Sequence, residues 1–375
     1  MMEEPHEHHE PRASRTAALT SASPWSASLR QAGSSLLRSQ QIGLVLVLLL
    51  CWAALTAAAG SHPDRITGAP VNNFLNAYTL IQMATDASTF AIMGVGMTVV
   101  IISGGIDLSV GAIYALASVA MAMVLRAAGD MGPAATVMLG LGTCLAVSLL
   151  CGLANGLMVI GLGVHPFIIT LGTMWMLRGV AFVISRAESI LVPQALTSVA
   201  KAPLGMGTAL YPVPLLAMIV VTLLGSLYLG RTVMGRHVFA VGGNAEAARY
   251  SGLDVNRIKL GVYVLSGLTA GIAAFLGASF YGSATSSDGT GYELYVVAAA
   301  VVGGASLMGG KGSALSATLG AVLIVTIRQA IRTLHLDQNY EWIIIGGSMI
   351  VAVVLDQGGS RLLARRLARA SAAAK

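Results

Sequence analysis

The stretch TLIQMATDASTFAIMGVGMTVVIISGGIDLSVGAIYALASVAMAMVL, residues 79–125, decides the fold class. It contains two apolar runs, at about 79–103 and 106–125, which meet at the break Ser103-Gly104-Gly105 with almost no loop between them. Each run reaches the length of about 20 apolar residues that a helix needs to cross a bilayer. The stretch therefore predicts two consecutive membrane-spanning helices.

The rest of the chain repeats this pattern. Of its 375 residues, 55% are hydrophobic and 10% are charged, whereas soluble domains carry about 25% charged residues. This composition excludes an ordinary soluble enzyme. We expect an all-α polytopic membrane protein with about ten transmembrane helices, at about 42–59, 79–103, 106–125, 134–160, 165–185, 212–230, 258–282, 292–310, 312–333 and 341–357.

The basic residues predict the orientation of the chain. With residues 1–40 placed in the cytoplasm, cytoplasmic segments hold about three times as many Lys and Arg residues as external ones, which is the bias that membrane proteins show. Both termini are then cytoplasmic. We expect a disordered tail at 1–40, a transmembrane domain at 41–358 and a basic tail at 359–375. The net charge of +6 reflects this topology, so we expect a lipid bilayer and no nucleic acid as partner.

The sequence contains no recognisable catalytic or metal site. The segment GGKGS at 309–313 resembles a phosphate-binding loop, but a Walker A motif requires glycine at position 305 and Ser or Thr at position 312. The chain has Ala305 and Gly312 there. No HExxH, GxSxG or Cys/His metal cluster occurs either. The motifs of the chain therefore predict no nucleotide, catalytic or metal site.

A faint internal repeat relates two glycine breaks. Residues 104–111 (GGIDLSVG) align with residues 303–310 (GGASLMGG), and Ala115-Leu116 then match Ala314-Leu315. Both breaks fall on the expected cytoplasmic side. Internal repeats with interrupted helices are typical of transporters. The repeat therefore predicts two pseudo-repeated halves and favours a transport function.

The largest cytoplasmic loop, residues 231–259, contains the pattern of one short capped helix. Asn244 is a good N-cap, and Gly252 can adopt the left-handed conformation that ends a helix. Glu246 in the first turn and Arg249 in the last turn complement the helix dipole. These residues predict a helix of about two turns at 245–251. Since so short a helix is marginal alone, we expect it to pack on its own spans or on a partner; an ordinary ordered loop is the alternative.

Six segments of the chain resemble, in order, the ribose-type family of ABC sugar permeases. The resemblance covers roughly residues 42–357. Its segments are SGGIDLSVG (103–111), GLANG (152–156), PFIITLGTM (166–174), GGNAEAARYSGLDV (242–255), GTGYEL (289–294) and GGASLMGGKG (303–312). The chain departs from the family in its long polar N-terminal tail and in Ser286-Ser287-Asp288.

The resemblance implies a transport subunit of the bacterial inner (plasma) membrane, with no enzyme activity and no cofactor of its own. Two permease copies, expected as a homodimer, would line the pathway, and two cytoplasmic ATPase subunits would bind ATP and Mg²⁺ and drive transport. A periplasmic sugar-binding protein would deliver a ribose-like monosaccharide or polyol. In such a permease a coupling helix docks on the ATPase, and the resemblance places this helix and its flanks at Gly243, Asn244, Glu246, Ala247, Ala248, Arg249 and Gly252.

Polar residues inside the spans are candidates for the translocation path, because charge within a bilayer is costly and usually functional. With residues of the 166–174 segment, the candidates are Asp107, Asn155, Phe167, Thr170, Thr173 and Arg178. Asp107 could instead cap the third span, Asn155 could tie two helices together, and Arg178 needs a carboxylate or carbonyl partner. Glu293 is expected near the external surface, where it suits contact with the binding protein or ordinary solvation.

Other functions stay open at this point. The same architecture could import a nucleoside, a furanone-type signal or an amino acid. A secondary transporter driven by an ion gradient would need carboxylates deep in the bundle, for which Asp86 and Asp107 are the only candidates. A structural membrane protein would not need repeated spans broken by glycine. The cargo is not readable from this chain, since specificity in such systems resides largely in the delivery protein.

Overall fold

A computed structural model describes residues 40–63, 68–203 and 211–354. The predicted tails, 1–40 and 359–375, lie outside these residues except for Gln40. The end of the predicted transmembrane domain, 355–358, also lies outside them.

Thirteen helices follow one another in the described part of the chain. They are α1 (Gln40–Ala58), α2 (Ala77–Ile102), α3 (Val110–Ala128), α4 (Pro133–Leu162), α5 (Pro166–Ser185), α6 (Gln194–Ala200), α7 (Val213–Arg231), α8 (Val233–Gly243), α9 (Ala245–Tyr250), α10 (Val255–Tyr281), α11 (Tyr292–Val302), α12 (Ala314–Thr333) and α13 (Tyr340–Val354). Two short antiparallel sheets pair β1 (Ser61–Pro63) with β2 (Pro70–Asn72) and β3 (Ile190–Leu191) with β4 (Ser283–Ala284). The expected all-α membrane fold is confirmed.

Each of the ten predicted spans contains one helix. Within the described ranges, eight helices are long and apolar enough to cross a membrane, namely α1 to α5, α7, α10 and α12. The remaining two, α11 and α13, are shorter apolar helices.

The predicted span at 292–310 is wrong in its second half. α11 has 11 residues, and its rise of about 16 Å is roughly half of the ~30 Å hydrocarbon core of a bilayer. The helix ends because Gly304 adopts a left-handed φ of 96°, which favours glycine. Residues 303–313 follow as irregular backbone. The third span likewise begins at Val110 and not at 106, because residues 103–109 are not helical.

α2 lies at the centre of the bundle. In its most apolar window 89% of the residues are buried inside the chain, against 17% for α1. α2 packs on α7, α10, α11 and α12, and α10 packs in turn on α3 and α4. The outer helices α1, α4, α5 and α7 present apolar side chains outward. Since lipid tails are as apolar as these side chains, the outer helices suit a bilayer.

The two glycine breaks of the internal repeat share one backbone geometry. The amides of Gly104 and Gly304 each donate to the carbonyl three residues earlier, and the amides of the following residues donate to the carbonyl five residues earlier. Both glycines are left-handed, with φ of 84° and 96°, as in a Schellman helix end. The turn geometry thus pairs Gly104 with Gly304. The predicted alignment of Gly104 with Gly303 is therefore one residue out of register. It paired residues because both are glycine, whereas the residue that occupies the same position in the turn is Gly304.

Candidate functional site

A helical element occupies the predicted coupling loop at 231–259. α8 and α9 lie there between α7 and α10, so the segment is folded along most of its length. Thr232 caps α8 by accepting a hydrogen bond from the Gly235 amide at 2.9 Å. Asn244 caps α9 by accepting from the Ala247 amide at 2.9 Å. The predicted N-cap is confirmed, whereas α8 is an addition to the sequence prediction.

Gly252 closes the other end of α9. Its φ is 86°, and the Leu253 amide donates to the Ala248 carbonyl at 3.1 Å. Asp254 then caps α10 by accepting from the Arg257 amide at 3.1 Å. Because both ends of α9 are capped, its first and last residues are well defined and backbone groups at its ends have hydrogen-bond partners.

Most of the predicted coupling residues are exposed. The exposed ones are Gly243, Asn244, Glu246, Ala247, Arg249 and Gly252. Ala248 is the exception: it is buried and belongs to an apolar cluster with Val241 and Val255. Ala248 therefore anchors α9 on the chain's own helices. Of the two expected packing partners, its own spans or another protein, the structure shows the first.

Tyr250 is a surface residue that the sequence analysis missed. It is 91% exposed at the end of α9. Tyrosine is enriched among the few residues that dominate binding interfaces. The available sequence clue is an aromatic residue in the short predicted helix, beside the predicted coupling residues.

A buried polar network joins α3, α4 and α10. The Ser109 amide and Oγ donate to Asp107 Oδ1 at 3.0 and 2.6 Å, and Ser266 Oγ donates to Asp107 Oδ2 at 2.8 Å. Asn155 Nδ2 donates to Ser109 Oγ at 2.7 Å. All four side chains are fully buried. The contacts of Asp107 and Asn155 are thus those of the structural alternatives, a carboxylate at the start of α3 and an amide that ties two helices.

The predicted path residues of α5 face two directions. Thr170 Oγ1 donates to the Ile106 carbonyl at 3.1 Å, and Thr173 Oγ1 donates to the Thr170 carbonyl at 3.2 Å. Both threonines are buried, whereas Phe167 is 42% exposed. The structure therefore brings Thr170 to the same break, 103–109, that carries Asp107, and leaves Phe167 on the outer face of α5.

Arg178 holds a turn far along α5. Its Nη1 donates to the backbone carbonyls of Ser286, at 2.9 Å, and of Asp288. These carbonyls are the partners that an arginine within a span needs. The family departure at 286–288 is therefore the turn that Arg178 contacts. Glu293 is half-buried, and its Oε2 has no hydrogen-bond partner among the described residues.

Two further carboxylates of the bundle have cationic partners. Asp86 Oδ2 lies 3.4 Å from Arg332 Nη1. Glu341 Oε1 lies 2.9 Å from Arg328 Nε and accepts from Tyr295 Oη at 2.7 Å. Asp86 thus has a cationic partner, which weakens its use as the free carboxylate of an ion-driven transporter.

Comparisons with known proteins identify the family of the chain. The family model described as branched-chain amino acid transport system / permease component matches residues 79–353. The chain belongs to this family. Among its relatives, the D-allose transport system permease protein AlsC of Escherichia coli (strain K12) is 36% identical over 286 residues, 76% of this chain and 85% of that protein.

Two more relatives cover a similar part of the chain. The ribose import permease protein RbsC of Escherichia coli (strain K12) is 34% identical over 285 residues, 76% of this chain and 87% of that protein. The autoinducer 2 import system permease protein LsrD of Yersinia enterocolitica is 33% identical over 310 residues, 81% of this chain and 91% of that protein.

As a permease component, the chain is a transport subunit of an ABC importer and not an enzyme. ATP hydrolysis belongs to a separate subunit, and importers of this family work with ATPase and substrate-binding partners. The permease is a multi-pass protein of the bacterial inner membrane.

Proposed function

We propose that this permease imports a monosaccharide and that α9 docks on the cytoplasmic ATPase. The observation that carries the docking proposal is α9 itself, which is capped at both ends, exposed along one side and anchored through Ala248. A docking element must be rigid to pass motion to the spans, and this anchorage makes α9 rigid. ATP and Mg²⁺ then bind the ATPase subunits, and the chain itself needs no cofactor.

The cargo is inferred from the relatives. AlsC and RbsC are named for D-allose and ribose, which supports a monosaccharide delivered by a periplasmic sugar-binding protein. LsrD is named for autoinducer 2, which makes a furanone-type signal the second candidate.

The pathway is proposed to run between two copies of the chain. Phe167, on the outer face of α5, is then the candidate for contact with the sugar. The buried residues Asp107, Asn155, Thr170 and Thr173 hold the helices around it. Arg178 and Glu293 shape the region proposed to receive the binding protein.

Transport by reconstituted vesicles tests this function. The permease, its ATPase subunit and ATP with Mg²⁺ are combined in liposomes, and the binding protein is added with radiolabelled D-ribose, D-allose or autoinducer 2. ATP-dependent accumulation of one of the two sugars supports the proposal, and accumulation of autoinducer 2 alone selects the second candidate. Accumulation without ATP hydrolysis contradicts both.

Orientation is tested by cysteine labelling from each side of the membrane. The side chain of Arg257 is 87% exposed beside α9, and Glu188 is exposed after α5. We expect an impermeant maleimide to label Arg257→Cys from the cytoplasmic side only and Glu188→Cys from the outside only. The parent chain is the background control, since its three cysteines lie inside α1 and α4. The opposite labelling pattern would remove the docking assignment.

Truncation of Tyr250 tests the docking surface. We expect Tyr250→Ala to weaken association with the ATPase about tenfold or more, because large aromatic anchors dominate protein interfaces. The fold should be unaffected, since the ring is 91% exposed. Association is measured by co-purification over a series of ATPase concentrations. Tyr281→Ala, an exposed tyrosine at the far end of α10, is the matched control.

A further inference from the structure

Three backbone segments meet beside α9 with no side chain between them. They are Ile102 at the end of α2, Gly242 in the last turn of α8, and the pair Gly309 and Gly310 in the irregular segment after α11. The Gly310 amide donates to the Ile102 carbonyl at 2.9 Å. A Cβ atom built on Gly242 would overlap the Ile102 carbonyl oxygen and lie 2.7 Å from the Gly310 amide nitrogen. We name these four residues the glycine junction.

The glycine junction is tight on its third side as well. A Cβ atom on Gly309 would lie 2.6 Å from the Gly242 carbonyl oxygen, closer than any side chain tolerates. The hydrogen bond from Gly310 also satisfies one of the carbonyls that a helix end leaves without an intrahelical partner. The contact is therefore both close-packed and hydrogen-bonded.

Each segment of the junction leads to a different functional element. Ile102 precedes the turn of the first repeat at Gly104. Gly309 and Gly310 follow the turn of the second repeat at Gly304. Gly242 lies two residues before Asn244, which caps α9. The junction thus places the base of the docking helix against both repeats.

An apolar cluster keeps α9 and the junction together. Val241 and Ala248 are buried in the same cluster as Val99 and Ile102 of α2. Since protein interiors are close-packed and transmit strain, a displacement of α9 moves Gly242 against the end of α2 and against the 309–310 segment.

We propose that Gly242 is a positioning residue of transport, which passes the displacement of α9 to the turns of both repeats at once. This inference rests on the proposed docking of α9 on the ATPase. Coupling of this kind needs two arrangements that the ATPase biases, and the junction makes the two repeats change arrangement together. A side chain at position 242 separates the three backbones and uncouples ATP hydrolysis from transport.

The test compares two substitutions of the same kind at the same end of the bundle. In Gly242→Ala the added methyl group overlaps backbone. In Gly230→Ala, at the end of α7, it meets nothing within 4 Å. We expect Gly242→Ala to lower ATP-dependent sugar uptake about tenfold, the size of effect that coupling mutations reach. ATPase co-purification and ATP hydrolysis should stay near the parent level, and Gly230→Ala should match the parent in all three measurements.

A milder variant keeps the test decisive if Gly242→Ala does not reach the membrane. A Cβ atom on Gly310 would lie 3.2 Å from Gly243 Cα, at a left-handed φ of 72°. Gly310→Ala should therefore reduce uptake in the same direction by a smaller factor, with the ATPase still bound and active.

Two results would overturn the inference. Uptake by Gly242→Ala equal to that of Gly230→Ala would show that the junction transmits nothing. If Gly242→Ala lost both ATPase co-purification and uptake, Gly242 would instead shape the docking surface. Either result leaves the proposed function intact as long as the parent complex accumulates sugar in an ATP-dependent way, and failure of the parent complex would identify the proposed function itself as wrong.

Discussion

A permease carrying Glu246→Arg is expected to insert into the membrane, to lose its ATPase subunit and to import no sugar. Glu246 is exposed in the first turn of α9, where the helix dipole favours a negative charge. Arginine reverses the charge at the proposed centre of contact. The ATPase group expected to pair with Glu246 is then opposite a like charge, and like charges brought together at an interface cost several kcal/mol. Association with the ATPase should fall more than about a hundredfold.

Co-purification of the ATPase and uptake in vesicles measure this effect together. Glu188→Arg makes the same charge change at an exposed site after α5, so the ATPase should co-purify with it as with the parent. Normal uptake by Glu246→Arg would remove α9 from the docking surface.

Asp107→Ala is expected to destabilise the fold strongly. The substitution removes the acceptor of three hydrogen bonds, two from Ser109 and one from Ser266, all of them in the buried interior. A buried donor without a partner costs about 1–3 kcal/mol, so the three stranded donors should together cost about 3 kcal/mol or more. Less chain should then survive detergent extraction, and its thermal aggregation midpoint should drop.

Asp254→Ala provides the comparison for Asp107→Ala. Asp254 is also an acceptor, at the start of α10, but it is exposed, so its loss should cost about 1 kcal/mol as a helix cap. Asp107→Asn, which keeps an oxygen acceptor, should fall between the two. Equal midpoints for Asp107→Ala and Asp254→Ala would show that the buried network adds no stability.

Much of the fold follows from local patterns in the sequence. All ten apolar runs contain helices, and the caps of α9 lie where Asn244 and Gly252 place them. The end of α11 could not be predicted from the sequence, because a glycine alone does not end a membrane helix. Gly96 sits inside α2, against Ser266 and Thr269 of α10, whereas Gly304 is left-handed. Whether a glycine lies inside a membrane helix, like Gly96, or ends one, like Gly304, depends on the segment that packs against it.

The sequence likewise predicts the local structure of the candidate site but not its packing. Composition and caps identify α9 as a helix, but whether Ala247 or Ala248 faces inward depends on where α8 and α10 lie. The partners of Asp107 were hidden for a similar reason. Ser266 is 159 residues away in the chain, so only the packing of α10 beside α3 brings them together.

The division of α9 into an inward Ala248 and an outward Glu246, Arg249 and Tyr250 has a consequence for cells that make several importers at once. The outward side chains contribute little to folding, so they are free to diverge between paralogous permeases. Under the proposed docking of α9, we expect changes at these few positions to prevent association with the ATPase of another importer. Exchanging these outward side chains between two importers should make a permease associate with the other importer's ATPase, while its membrane-spanning part stays the same.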